Sequence, residues 1–127
     1  MSEYVLDASA VIATILDERG AEQVKATSRT SRISAVNLTE VVQKLVELGA
    51  TDETIADFVR KLPCVVEPFD AATSVHAGLL RRTTRSHGLS LGDRACLALA
   101  AREGLPAMTG DRAWADVDVG VEVVLIR

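Results

Sequence analysis

The chain has 127 residues, 48% of them hydrophobic and 25% charged, with a formal net charge of −4. That composition supports a sizeable core and excludes a disordered chain, and the acidic balance excludes a protein that grips nucleic acid by bulk positive charge. No apolar run approaches the roughly 20 residues of a membrane helix, and Met1-Ser2-Glu3 lacks the positive start of a signal peptide, so one soluble, cytoplasmic domain spanning residues 1–127 is expected.

Residues 3–6 form a short buried strand candidate, ending at the carboxylate of Asp7. Residues 10–27 have a helical pattern, broken or kinked near Gly20. Arg32 to Ala35 is a second strand candidate. Leu38, Val41, Val42, Leu45, Val46 and Leu48 then recur at helical spacing, and Gly49 closes that helix. Thr51 caps the next, with Asp52 and Glu53 in its first turn, Ile55, Phe58, Val59 and Leu62 as its apolar stripe, and Pro63 as its stop. Cys64 to Glu67 is a strand.

Asp70 caps a helix that runs to about Ser86, and Gly88 follows. Ser90 caps another, rich in alanine and leucine, ending near Glu103-Gly104. Ala107 to Thr109 is a strand, Arg112 to Ala115 a helical turn, and Val123 to Ile126 the last strand. Short apolar strands separated by helices predict a parallel sheet covered on both faces. The fold class is therefore α/β: a three-layer α/β/α sandwich with a parallel sheet of about five short strands. Cys64 and Cys96 lie far apart in apolar contexts, with no Cys-x-x-Cys pair, and are expected to be buried free thiols.

An ionised acid at the seam between two buried segments is costly unless something pairs with it. Asp7 is such an acid, and the predicted topology brings others to the carboxyl ends of the strands, where open α/β sheets bind ligands. Glu40 and Asp93 fall in first helical turns, Asp111 two residues after the Ala107–Thr109 strand, and Asp116 five residues further on. Asn37-x-x-Glu40 and Ser90-x-x-Asp93 each fit a capping box, and Asp7 and Asp111 each fit an N-cap. Gathering four such groups for capping alone is unfavourable, because two carboxylates 4 Å apart repel by about 4 kcal/mol at an effective dielectric near 20. A divalent cation removes that repulsion, and hard oxygen ligands without histidine suit Mg²⁺ or Mn²⁺. Asp7 is accordingly expected on the rim of a metal site rather than in dry core. Ser9 and Thr109 stand beside two of the acids and can orient water or a carboxylate. Arg81, Arg82, Arg85 and His87 form a local basic group, and Arg81, Arg82, Arg85, Arg94 and Arg112 are candidate contacts to phosphate.

These motifs resemble those of the PIN-domain family, specifically its VapC-type toxins. YVLDASAVIA resembles the family's hydrophobic-D-x-S/N opening, and NLTEVV its second acidic motif. GLSLGDRACLALAAREGLPAMTGDRAWAD carries two acids, the helix between them and Trp114 in the family's order and spacing. The resemblance covers almost the whole chain. It implies that Asp7, Glu40, Asp93 and Asp111 are catalytic and metal-binding, with Mg²⁺ or Mn²⁺ as cofactor. A fifth acid is variable in the family, and Asp116 is its candidate. The implied activity is endoribonuclease cleavage of tRNA- or rRNA-class RNA, inhibiting translation. The implied partners are a cognate VapB-type antitoxin and a second copy of the chain. Leu45, Leu48, Ile55 and Phe58 are the candidate antitoxin contacts, on an apolar helical hairpin around Gly49.

The alternatives fit less well. A haloacid dehalogenase phosphatase needs a second Asp where Ser9 stands, and a response-regulator receiver needs a late Lys, yet none follows Lys61. No G-x-S-x-G, P-loop or dinucleotide fingerprint occurs. The alternative from another class is a catalytically silent PIN-fold binding or assembly module. Its mark would be a missing acid.

Overall fold

Five short strands set the frame: β1 (Val5–Leu6), β2 (Arg32–Ser34), β3 (Val65–Glu67), β4 (Ala107–Thr109) and β5 (Val123–Leu125). The structure, a computed structural model, describes residues 3–127; Met1 and Ser2, part of the start read above as lacking a signal sequence, lie outside them. The strands form one parallel sheet in the order β3-β2-β1-β4-β5. Val5 lies opposite Arg32 and Ala107, and Leu6 opposite Ile33 and Met108, so β1 is the centre of the sheet.

The period-two alternation of a strand sends Val5 and Leu6 to opposite faces. Leu6 joins one core with Ile33 and Met108, covered by helices α1 (Ala8–Leu16), α2 (Ala21–Thr27), α3 (Ala35–Glu47) and α4 (Asp52–Arg60). Val5 joins a second core with Ala107, Trp114 and the inner face of α7 (Leu91–Glu103). Helix α5 (Ala71–Leu79) packs on α7, and α6 (Arg81–Thr84) continues from it. The three-layer α/β/α sandwich is therefore observed. Trp114 is fully buried in the second core, as a packing residue. Both cysteines are free and buried. No helix among the described residues is long and apolar enough to cross a membrane.

Three element boundaries differ from expectation. The 10–27 helix starts earlier, at Ala8, because Asp7 caps it, and it ends at Leu16, where Asp17 adopts φ 52°. Gly20, at φ 94°, then lets the chain pass Ile126, whose carbonyl oxygen would lie 2.5 Å from an added Cβ. Helix α3 begins at Ala35 because the Ser34 side chain accepts from the Val36 N–H, so Asn37 lies inside the helix and the Asn37–Glu40 capping box does not form. The helix expected from Asp70 to about Ser86 breaks at Leu80. The Leu80 carbonyl accepts from the Thr84 N–H and also from its hydroxyl at 2.7 Å, and the chain tightens into a 3₁₀ turn over Arg85–His87. Threonine hydroxyls that bond back to the preceding turn bend helices in this way.

Candidate active site

In a parallel sheet the ligand crevice opens at the carboxyl ends of the strands, where neighbouring connections diverge. Here that point is the end of β1, flanked by β2 and β4. Asp7 occupies it. Its backbone N–H donates to the Met108 carbonyl at 3.1 Å, which fixes the residue to β4, and its side chain caps α1 by accepting from the Ala10 N–H at 2.8 Å. The residue is only 3% exposed, so it lies beneath the rim on which it was expected. Its partners are hydroxyls: Ser9 Oγ donates at 2.7 Å to Oδ1, and Thr109 Oγ1 donates at 2.5 Å to Oδ2. Burial pushes the Asp7 pKa up to about 6 against the pull of these donors, and the charge of Asp93 adds to the rise.

Ser9 and Thr109 are more than donors to Asp7. Ser9 Oγ accepts from the Gly110 N–H at 2.8 Å, and Thr109 Oγ1 accepts from the Asp111 N–H at 3.0 Å. Two hydroxyls thus join the start of α1 to the turn after β4. That turn carries Asp111, which is exposed and caps the 3₁₀ segment Arg112–Asp116 by accepting from the Ala113 N–H.

The other two acids come from helix starts. Asp93 forms the expected capping box with Ser90, accepting from the Ser90 N–H at 2.9 Å through Oδ2. Burial raises its pKa, and the nearby charge of Asp111 adds to the rise. Glu40 projects from the second turn of α3. One hydrogen of the Asn37 amide goes to Glu40 Oε1 at 2.8 Å and the other to the Gly92 carbonyl of α7 at 3.0 Å. A Cβ built on Gly92 would fall 2.6 Å from Glu40 Cδ, so the Glu40 carboxylate lies flat on the glycine.

The four acids act on a common region. Asp93 acts on Asp7, and Asp111 on Asp93. Burial, then the charges of Asp7, Asp93 and Glu40, hold the Cys96 thiol well above its ordinary range, beneath the site. Cys96 therefore stays a protonated, buried thiol and offers no soft metal ligand. Among the described residues no three His, Cys, Asp or Glu side chains stand close enough to grip an ion unaided. The donor set is nonetheless carboxylate and hydroxyl oxygen around mutually repelling acids. That fits Mg²⁺ or Mn²⁺, because the former keeps several waters and takes only one or two carboxylates directly. Asp116 is exposed, at the far end of the 3₁₀ segment, and is not among the charges that act on Asp7, Asp93 or Cys96.

The candidate arginines divide. Arg94 is 8% exposed, and its guanidinium donates to the Leu89 carbonyl at 2.9 Å, so it braces the start of α7 and is withdrawn as a phosphate contact. Arg81, Arg82, Arg85 and Arg112 are exposed and enter no ion pair among the described residues. The turn carrying Arg85 packs on the segment carrying Arg112, next to Asp111. Of the hairpin residues, Leu45 is 7% exposed and belongs to the core, which removes it from any groove; Ile55 and Phe58 pack partly on that core; Leu48 is 51% exposed.

Sequence reasoning missed three residues that shape this mouth. Asn37 fits a cap by its spacing to Glu40, but Ser34, the last residue of β2, is the one that caps α3. Gly92 carried a signal, since a glycine inside a helix before an acid is a propensity cost that close packing explains. Arg127, which donates through Nε to the Gly110 carbonyl at 3.2 Å, had none.

The comparisons with known proteins agree with this architecture. The PIN domain family model matches residues 4–120. No curated protein matches the chain. Among solved structures, the chain is similar to a DNA-bound VapBC from Salmonella typhimurium, with 17% identity, full coverage of both chains and a TM-score of 0.77. It is also similar to a toxin–antitoxin complex from Klebsiella pneumoniae, at 19% identity, 98% coverage of each chain and a TM-score of 0.77. A third is VapC20 of Mycobacterium tuberculosis, a sarcin–ricin-loop-cleaving toxin, at 18% identity, covering 95% of this chain and 99% of that one, with a TM-score of 0.73. At such identities these likenesses establish the fold, and the family match over most of the sequence establishes the lineage: the chain belongs to the PIN domain family.

Proposed function

We propose that this protein is a VapC-type toxin, an Mg²⁺- or Mn²⁺-dependent endoribonuclease that cleaves tRNA- or rRNA-class RNA in the cytoplasm, inhibits translation and is neutralised by a cognate VapB-type antitoxin. The observation that carries the proposal is Asp7: a buried carboxylate at the switch point of the sheet, held by two hydroxyls and repelled by Asp93. Neutral core residues would serve packing better. Such an arrangement is useful where a cation is to be bound. The sarcin–ricin-loop-cleaving neighbour and the toxin–antitoxin complexes share the fold and support the substrate and partner classes.

Held among Asp7, Glu40, Asp93 and Asp111, by one or two carboxylates directly and by the others through its waters, Mg²⁺ or Mn²⁺ would neutralise phosphodiester charge and activate water. The chain's own groups do the rest. Ser9 and Thr109 orient the Asp7 carboxylate. Asp93 Oδ1, the oxygen outside its capping box, orients the attacking water by accepting a hydrogen bond from it. Arg81, Arg82, Arg85 and Arg112 hold flanking phosphates. The antitoxin lies along α3, where Thr39, Val42, Gln43, Val46 and Glu47 line a shallow groove and Leu48 stands exposed beyond it. A second copy completes a homodimer.

The test is cleavage of purified tRNA and rRNA. Cleavage should require Mg²⁺ or Mn²⁺, stop with EDTA, and vanish in Asp93→Asn with an unchanged circular dichroism spectrum. Cleavage that persists in EDTA, or in Asp93→Asn, refutes the assignment.

A further inference from the structure

We infer that Asn37 is a positioning residue: its amide locks the Glu40 carboxylate onto Gly92 of the neighbouring helix, and this lock sets the affinity of the acidic mouth for a divalent cation. The inference rests on the metal-nuclease function proposed above and assigns a task to residues outside the acidic set.

Three observations converge. Asn37 is 1% exposed, yet it is not a helix cap, and its Nδ2 spends both hydrogens on the site: one on Glu40 Oε1 at 2.8 Å, the other on the Gly92 carbonyl at 3.0 Å. Its Oδ1 is buried with no hydrogen-bond partner among the described residues. Turning the amide over would set that oxygen against a carboxylate and a carbonyl, so its orientation is dictated by Glu40 and Gly92 at the expense of its own acceptor. Gly92 supplies the other half. Any side chain there would occupy the volume of the Glu40 carboxylate. Helix α3 thereby delivers Glu40 to the residue preceding Asp93, and a long, three-torsion side chain is held in one place before any ion arrives. Fixing a ligand by an outer hydrogen bond is a general means of raising metal affinity, and losing such a partner typically costs about 10- to 100-fold.

Mn²⁺ binding, followed by the electron paramagnetic resonance of the free ion, tests this without RNA. Asn37→Ala should weaken Mn²⁺ binding about tenfold. Gly92→Ala should do the same by displacing Glu40, while the metal-free protein melts no lower than wild type, because alanine favours the helix and only the flexible end of Glu40 has to move. Since Asn37 acts through Glu40, Asn37→Ala should add nothing in a Glu40→Gln background. A merely structural asparagine would multiply its loss there instead. If Asn37→Ala fails to fold, Gly92→Ala decides alone. Wild-type binding with both variants within about twofold of it overturns the lock and leaves the nuclease assignment standing. Absence of Mn²⁺ binding by the wild type overturns both.

Discussion

Thr109 donates its hydroxyl to Asp7 Oδ2 at 2.5 Å, joining residues 102 positions apart at the ends of adjacent strands. The Thr109 hydroxyl oxygen in turn accepts from the Asp111 N–H. Thr109→Val keeps the shape and removes both functions. It should cost about 1–3 kcal/mol in chemical denaturation and raise the Asp7 pKa further, measured by carboxyl ¹³C titration. Thr109→Ser should keep most of both. An unchanged titration in Thr109→Val would show that the hydroxyl does not hold Asp7.

Asp7 also makes stability depend on pH, with a definite sign. Its pKa is 3.8 ordinarily and about 6 when folded, so the folded state binds the proton more tightly. Metal-free stability should therefore fall as pH rises from about 4 to about 6, and above that window ionised Asp7 costs about 3 kcal/mol. Asp93 contributes in the same direction, and Asp70, whose pKa is lowered by its bonds to Thr73, in the opposite one. The informative quantity is the difference between wild type and Asp7→Asn. The variant should be the more stable at pH 7, and the advantage should vanish near pH 4. Urea denaturation across that range measures it; a constant difference would contradict the assigned burial cost.

Asp111 caps one short 3₁₀ segment and Asp116 ends it, yet of the two only Asp111 is among the charges that act on Asp93. Asp111→Asn should lower RNA cleavage on the order of a hundredfold. Asp116→Asn should leave the rate unchanged. Equal losses would return Asp116 to the ligand set.

The basic group is tested by salt. If all three of Arg81, Arg82 and Arg85 hold phosphates, changing them to alanine should reduce the salt slope of RNA binding by about 0.7 per lost contact. Arg94→Ala should instead destabilise the fold, since its guanidinium caps a buried carbonyl. A slope unaltered by the triple change would mark these side chains as an ordinary solvated face.

Leu45 and Leu48 separate core from surface within one helical turn. Leu45→Ala should cost about 2–5 kcal/mol. Leu48→Asp should leave stability within about 0.5 kcal/mol and weaken capture of the co-expressed antitoxin. Intact capture by Leu48→Asp would move the antitoxin elsewhere on the surface.

The sheet was legible in the sequence because each strand is a short apolar run bounded by strong punctuation, and the order of acids along the chain mapped onto strand ends and helix starts. Ser90 and Asp93 were legible as a capping box because that motif is local. What escaped was set by partners distant in sequence. Asn37 looked like a cap until Gly92, 55 residues on, took its second hydrogen. Arg94 looked like a surface charge because α7, buried on nearly every side, lacks the polar face that would have shown which of its residues point inward. Asp7 looked too costly to bury because the Thr109 hydroxyl that shelters it comes from the far end of the chain.

The placement of β1 at the centre of the sheet has a consequence during synthesis. The first strand made waits for the fourth: Val5 and Leu6 pair with Ala107 and Met108, and Asp7 receives Thr109 only when that strand docks. At about 5–20 residues per second, roughly 5–20 s separate the translation of Asp7 from that of Thr109. A nascent chain on the ribosome carries its acids unassembled through this interval, so the acidic mouth is complete only once the strand that supplies Thr109 has docked.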